Sequence, residues 1–376
     1  MSSGFAWAPL EQLRTRTSVK WRLYPDDVLP LWVAEMDVEL APAVREALNA
    51  AIGRGDTGYP FAEQYAQALS DFAARRWDWT GLRADHTALV PDVMLGITEV
   101  LRLITQPGDA VVVTPPVYPP FYAFPTSAGR RIVEAPLGPD GRLDLETLDA
   151  AMEHAASTSQ QAVLLLSNPH NPTGAVHTRE ELQAVVAVAA AHRVRIISDE
   201  IHGPLILPGA RFTPLLSITE DAFVATSASK AWNLAGLKAG LIIAGEDSVS
   251  DLRRLPEEVR HGASHLGVIA QVAALTDTSG WLDDLLAALA SNRTLLNDVV
   301  AHQLPQVSYT PAEGTYLAWL NCGGKDPSHL FLERARVALN AGQTFGTGGA
   351  GHVRLNFATS PQILTEAVQR MAAVSQ

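Results

Sequence analysis

The stretch Ala222-Phe223-Val224-Ala225-Thr226-Ser227-Ala228-Ser229-Lys230 decides the fold, because an apolar run passes straight into small residues and a lysine. A continuous apolar run of this length reads as a strand buried on both faces, as in parallel sheets covered by helices. The lysine then stands on a turn beyond the strand, followed by Ala231-Trp232-Asn233-Leu234. Such an amine is either desolvated and able to condense with a carbonyl, or an ordinary solvated surface lysine. The four residues alone favour the second reading, and the rest of the chain decides.

The same pattern repeats outward. Ala88-Leu89-Val90, Ala110-Val111-Val112-Val113, Arg131 to Ala135, Ala162-Val163-Leu164-Leu165-Leu166, Arg195-Ile196-Ile197-Ser198 and Leu241-Ile242-Ile243-Ala244 read as strands. Helical spacing separates them from Met94 to Thr105, Asp144 to Ala155 and Thr178 to His192. The alternation predicts an α/β fold of three layers with a mainly parallel sheet, which binds ligands at the loops beyond its strands' carboxyl ends. Those loops carry Asp92-Val93-Met94, Tyr118, Asn171, Asp199 with His202, and Ser227 to Lys230. Pro115 to Tyr122 holds too many prolines for helix or strand and is expected to be a shaped loop.

Two helices come first, one from Pro42 ending at Gly53 and Gly55, one from about Ala62 to Arg76. Residues 1 to 40 are expected to be mostly irregular, yet Leu29 to Asp37 is apolar enough to pack on the body or on a second subunit. Beyond about Leu266, long helices are expected from Leu266 to Asp277, Trp281 to Ala301 and Pro327 to Asn340. Between and after them lie the strand-like Gly314 to Leu320 and His352 to Ala358, which predicts a smaller α+β domain. The expected division is 1–42 completing the small domain, 43–270 as the large domain and 271–376 as the small domain.

Composition narrows the function classes. A formal charge of -12 argues against nucleic acid and anionic lipid as partners. The single cysteine, Cys322, allows no disulfide framework and fits a reducing compartment. Met1-Ser2-Ser3-Gly4-Phe5 lacks the basic and apolar parts of a signal peptide, and no apolar run is long enough to span a membrane. A soluble, cytoplasmic protein is expected, and no metal-ligand set is.

Two loops bear on the lysine. Ser167-Asn168-Pro169-His170-Asn171-Pro172-Thr173-Gly174 is a rigid turn with amide side chains at a strand end, suited to hydrogen-bonding a ligand oxygen. Ser198-Asp199-Glu200-Ile201-His202 places a carboxylate at the next strand end, where it can pair with a protonated ring nitrogen or simply cap a turn.

Asn171-Pro172-Thr173-Gly174, Asp199, Ser227-Ala228-Ser229-Lys230 and Arg354 resemble, in order and spacing, the fold-type I pyridoxal-phosphate enzymes of the class I/II aminotransferase superfamily. Trp32-Val33-Ala34-Glu35-Met36-Asp37, Gly58-Tyr59-Pro60, Pro116 to Phe121, Asp199-Glu200-Ile201-His202 and Gly314-Thr315-Tyr316-Leu317 resemble its cystathionine β-lyase (C-S lyase) branch. The resemblance implies that Lys230 holds pyridoxal 5'-phosphate and moves the Cα proton. It implies that Asp199 keeps the ring nitrogen protonated, that Asn171 bonds the phenolic oxygen with His202 nearby, and that Tyr118 stacks on the ring. The phosphate is expected on Val93 and Met94, with Ser227, Ser229 and Lys238 completing the cup. Arg354 is expected to take the substrate's α-carboxylate, beside Ala34, and Tyr59 to reach in from the second subunit of a homodimer. The implied reaction is β-elimination of cystathionine or a related cysteine S-conjugate, in methionine biosynthesis. The alternative is amino transfer between an amino acid and a 2-keto acid.

Glu35 and Val38 stand where the branch usually has aspartate and an aromatic, and Asn321 and His352 also depart, so the substrate side chain stays open. Gly346-Thr347-Gly348-Gly349-Ala350-Gly351 fits G-x-G-x-x-G but precedes a strand-like run, so it is expected to be a flexible loop and not a dinucleotide site.

Overall fold

The computed structural model describes residues 3–375, so Met1 and Ser2 of the expected N-terminal segment and Gln376 lie outside them. The apolar runs form seven strands: β1 (Thr87–Val90), β2 (Ala110–Val113), β3 (Arg131–Glu134), β4 (Ala162–Ser167), β5 (Arg195–Asp199), β6 (Ala222–Thr226) and β7 (Gly240–Ala244). Their spatial order is β1-β7-β6-β5-β4-β2-β3. Neighbours from β3 to β6 are parallel, while β7 runs antiparallel to both β6 and β1. Every residue of β2, β4, β6 and β7 is buried, as expected for strands covered on both faces. On one face Val111, Leu165 and Phe223 pack with Ile97 and Leu101; on the other Val112, Leu164 and Val224 join the main core. Each fully buried side chain of this size contributes about 1.5–3 kcal/mol.

The covering helices are α1 (Pro42–Gly53), α2 (Glu63–Trp77), α3 (Val93–Ile104), α4 (Pro120–Ser127), α5 (Leu145–Ser157), α6 (Arg179–Ala191) and α7 (His265–Thr276). The start of α3 is set by Asp92, whose side chain accepts the Leu95 N–H at 2.9 Å. A capping box of Thr178 and Glu181 opens α6. The long α8 (Trp281–Gln303) and terminal α9 (Pro361–Ala372) flank a four-stranded antiparallel sheet built mainly on β8 (Leu317–Asn321) and β9 (His352–Asn356). Among the described residues no helix is long and apolar enough to cross a membrane.

Three expectations are corrected. The proline-rich Pro115 to Tyr122 is not all loop: α4 begins at Pro120, where a missing N–H costs nothing because the first turn has no internal acceptor. The helix expected from Pro327 to Asn340 stops at Leu330, continues as one wide turn over Phe331–Ala335 and ends at Arg336 in left-handed conformation. Val337 and Ala338 then pair in parallel with Leu29 and Pro30, so tertiary pairing overrides helical spacing. The described part of the first forty residues is mostly irregular, as expected, and carries two short helices, Leu10–Thr15 and Val19–Arg22. Finally, the loop at Gly346–Gly351 is tied down and not loose, because the Thr347 hydroxyl donates to Glu134 and the Phe345 carbonyl accepts the Val117 N–H at 2.9 Å.

The N-terminal segment is held by a buried ion pair. Lys20 Nζ lies 2.8 Å from Asp37 Oδ1, and neither side chain is more than 1% exposed. Trp21 Nε1 donates to the same oxygen at 3.1 Å, and Lys20 also donates to the Glu35 carbonyl at 2.9 Å. From the other side Asn356 Nδ2 donates to the carbonyls of Val33 and Glu35 at 2.8 and 2.7 Å. Replacing Lys20 alone strands a buried carboxylate, so Lys20→Met is expected to lower stability by about 3–5 kcal/mol in urea unfolding. The double change with Asp37→Leu should recover most of that loss. A single variant within about 0.5 kcal/mol of wild type would contradict this account.

Candidate active site

Loops at the carboxyl ends of β4, β5 and β6 meet the amino end of α3 around a cavity of about 230 Å³. Asn171, Asp199, His202, Ser227, Ser229, Lys230 and Lys238 line it, with Val93, Met94, Tyr118 and Ala34. The structure therefore brings together nearly all the residues singled out from sequence. Two lie apart from the cavity wall. Tyr59 is 86% exposed, its ring 6.0 Å from that of His261. Arg354 is buried behind Asn171, donating to Asn171 Oδ1 at 3.0 Å and to the Trp32 carbonyl at 3.1 Å.

The parallel register explains the grouping. Ser167 pairs with Asp199 and Asp199 with Ala225, so three neighbouring strands end level. The loop after β4 turns through cis bonds at Asn168-Pro169 and Asn171-Pro172 and ends on Gly174 at φ +74°. A side chain at Gly174 would put its Cβ 2.4 Å from that of Ala312, so only glycine fits both the backbone and the space. After β6, Ser227 Oγ donates to the Ala239 carbonyl at 2.8 Å and accepts the Ser229 N–H at 3.1 Å, which shapes the turn that presents Lys230.

The site concentrates charge in a largely buried setting. Asp199 is buried, accepts only the Ile201 N–H at 3.1 Å among the described residues, and is pushed up to about 7 by burial, with Lys230 opposing. Lys230 is half-buried, its open side being the cavity, and its Nζ donates to the Ala34 carbonyl at 3.1 Å. Desolvation and then the Arg354 charge push its amine down to about 8, against the pull of Asp199. Burial lowers Arg354 to about 10 and holds His202 well below its ordinary value. Buried Nδ1 of His202 and Nε of Arg354 have no hydrogen-bond partner among the described residues. Such unmet donors and unpaired charges suit a ligand that brings a cationic ring nitrogen, a carbonyl, ring oxygens and carboxylates. At the other end, Val93 and Met94 open α3, where N–H groups lack partners within the helix, and Lys238 stands beside them. The expected cofactor fits these residues.

Several residues that hold the site were given no role from sequence. Gln271, fully buried on α7, accepts the Ala228 N–H at 2.8 Å and donates to the Ala239 carbonyl at 3.3 Å. A lone amide within the apolar run Leu266 to Leu275 was the available signal. Glu200 accepts from Leu215 N at 2.9 Å, Ser198 Oγ at 3.1 Å and Asn168 Nδ2 at 3.3 Å, joining the two loops. Tyr316 donates to the Ala34 carbonyl at 3.0 Å, the acceptor that Lys230 also uses. The Cys322 thiol is pushed up to about 12 by burial, an unreactive setting.

Comparison with known proteins agrees with this geometry. A Mycobacterium leprae protein provisionally named a cystathionine β-lyase is 56% identical over 384 residues, covering 96% of each chain. The cystathionine β-lyase of Corynebacterium glutamicum is 36% identical, covering 97% of this chain and 98% of its own. Cystalysin from Treponema denticola, solved with pyridoxal 5'-phosphate, superposes with a TM-score of 0.90 at 26% identity, covering 100% of this chain and 98% of that one. Residues 26–371 match the family described as aminotransferase class I and II, and with a lysine, an aspartate and an asparagine gathered at three adjacent strand ends, the chain belongs to that family.

Proposed function

We propose that this chain is a pyridoxal-phosphate-dependent carbon–sulfur β-lyase that cleaves cystathionine or a related cysteine S-conjugate to pyruvate, ammonia and a thiol. The observation that carries the cofactor is the half-buried Lys230 amine facing buried Asp199 across one cavity. The named relatives supply the bond that breaks. When bound, the cofactor supplies an electron sink for a carbanion at Cα.

The chain's own residues do the rest. Lys230 holds the cofactor and then takes the Cα proton. Asp199 would hold a cofactor's ring nitrogen in its protonated form, and Asn171 would donate to a ring oxygen. Tyr118 would offer an aromatic face to the ring. Arg354, buried behind Asn171 and bonded to it, would take the α-carboxylate in a bidentate pair by exchanging that bond for the substrate, and the Ala34 carbonyl holds the Lys230 amine. The carbon–sulfur bond breaks with its electron pair leaving on sulfur, and a thiolate is stable enough to leave with little acid help. The three-carbon remainder hydrolyses in water to pyruvate and ammonia.

The proposal includes a cytoplasmic homodimer acting in methionine biosynthesis, with segments 1–42, 43–270 and 271–376 as its units. The pairing of Leu29–Pro30 with Val337–Ala338 supports the first and third forming one body. Exposed Tyr59 and Phe61, together with exposed Ile52 and Leu95, support a covering partner.

Three measurements test it. Purified protein given cystathionine should release pyruvate and free thiol, and Lys230→Ala should abolish this along with the absorbance of the lysine-linked cofactor. Keto-acid-dependent amino transfer without thiol release would overturn the lyase assignment. An amine held near 8 is unprotonated in roughly a tenth of molecules at pH 7, against fewer than about one in a thousand for an ordinary lysine. The rate at which cofactor-free protein captures the cofactor should therefore rise with pH to a midpoint near 8 and then level; a rate still climbing beyond pH 10 contradicts it. Finally, Tyr59→Ala and Lys230→Ala should each be inactive, whereas refolding them together should restore about a quarter of wild-type activity through heterodimers with one intact site. No recovery in a mixed dimer would count against a shared site.

A further inference from the structure

One cavity residue has no role in the chemistry above. Asp92 stands where the cofactor's phosphate is to sit, and it is a carboxylate. Its Oδ1 accepts the Leu95 N–H at 2.9 Å and its Oδ2 lies 3.0 Å from Lys238 Nζ. Asp92, Val93, Met94 and Lys238 all line the cavity. A phosphate placed here would draw on the same two positive features, the amino end of α3 and the Lys238 ammonium. Two anions drawing on them repel each other.

Capping alone does not account for the arrangement. A cap needs one oxygen, and serine or asparagine serves as well as aspartate. Here the second oxygen is committed to Lys238, the lysine at the phosphate end of the cavity. The other acidic group lining the cavity, Asp199, accepts the Ile201 N–H and makes no bond to Lys238.

We propose that Asp92 is a built-in competitor for the cofactor's phosphate. Without cofactor, its carboxylate satisfies the helix end and neutralises Lys238. When the cofactor binds, Lys238 turns from Asp92 to the phosphate, and the carboxylate stays as a repulsive neighbour that lowers affinity. The enzyme therefore holds its cofactor less tightly than the same cup with a neutral cap. This rests on the phosphate position read above.

Retention of the cofactor tests it directly. Holoenzymes of wild type, Asp92→Asn and Asp92→Ser are dialysed against graded free pyridoxal phosphate, and the lysine-linked absorbance is read. Both variants keep a capping side chain and lose the charge. Each is expected to stay half-loaded at about fivefold lower free cofactor than wild type, or about 1 kcal/mol, with the gap narrowing at high salt. As a second readout, inorganic phosphate at constant ionic strength should raise the melting temperature of the cofactor-free variants more than that of wild type. If wild type loads normally and both variants retain cofactor equally or less well, Asp92 is a cap or a helper and the proposal is overturned. A wild type that takes up no cofactor would overturn both this proposal and the functional reading.

Discussion

Two opposite charges held in a largely buried cavity at the ends of adjacent strands are the constraint on which the rest of this structure depends. Asp199 ends β5 and Lys230 follows β6 by one turn, and their strands are in parallel register. Neither group has an ion-pair partner within the cavity, so burial raises one and lowers the other toward neutrality. An arrangement of this kind is unstable unless the surrounding framework is rigid, because either side chain could otherwise swing out to water. The fully buried strands, covered on both faces, supply that rigidity.

The second layer of control consists of buried side chains that bond main-chain atoms. Gln271 fastens the turn before Lys230, Glu200 ties the Asn168 loop to the stretch near Leu215, and Asn233 holds Met36 from both sides through its N–H and carbonyl. Asn356 holds the carbonyls of Val33 and Glu35. Each satisfies backbone groups that no helix or strand pairs, so the irregular segments around the cavity can be buried without large cost. The loops are thereby as well defined as the sheet.

Much of this was legible in the sequence, for a physical reason. Strands buried on both faces are continuous apolar runs, and ligand-binding groups follow them directly, so Asn171, Asp199 and Lys230 could be placed at strand ends. The direction of β7 could not be read, because an apolar run looks the same either way. The start of α4 was hidden because proline suits both a loop and a first helical turn. The interruption after Leu330 was hidden because Val337 and Ala338 take their partners from more than 300 residues earlier. The pairing of Asp92 with Lys238 spans 146 positions and leaves no local pattern. Tyr59 has its proposed partner on another copy of the chain, which one sequence does not display.

The way the first forty residues are anchored bears on how the protein is made. Leu31 accepts a bond from Asn356, Asp37 donates to Ala358, and Ala34 receives both Lys230 and Tyr316. The segment that closes the cavity is synthesised before the strand that anchors it, His352–Asn356, which lies some three hundred residues further along the chain. During synthesis the apolar Leu29–Asp37 stretch therefore waits, unpaired, for some three hundred residues to follow. The large sheet can assemble in that interval, but the Ala34 wall of the cavity is fixed only once His352–Asn356 has followed.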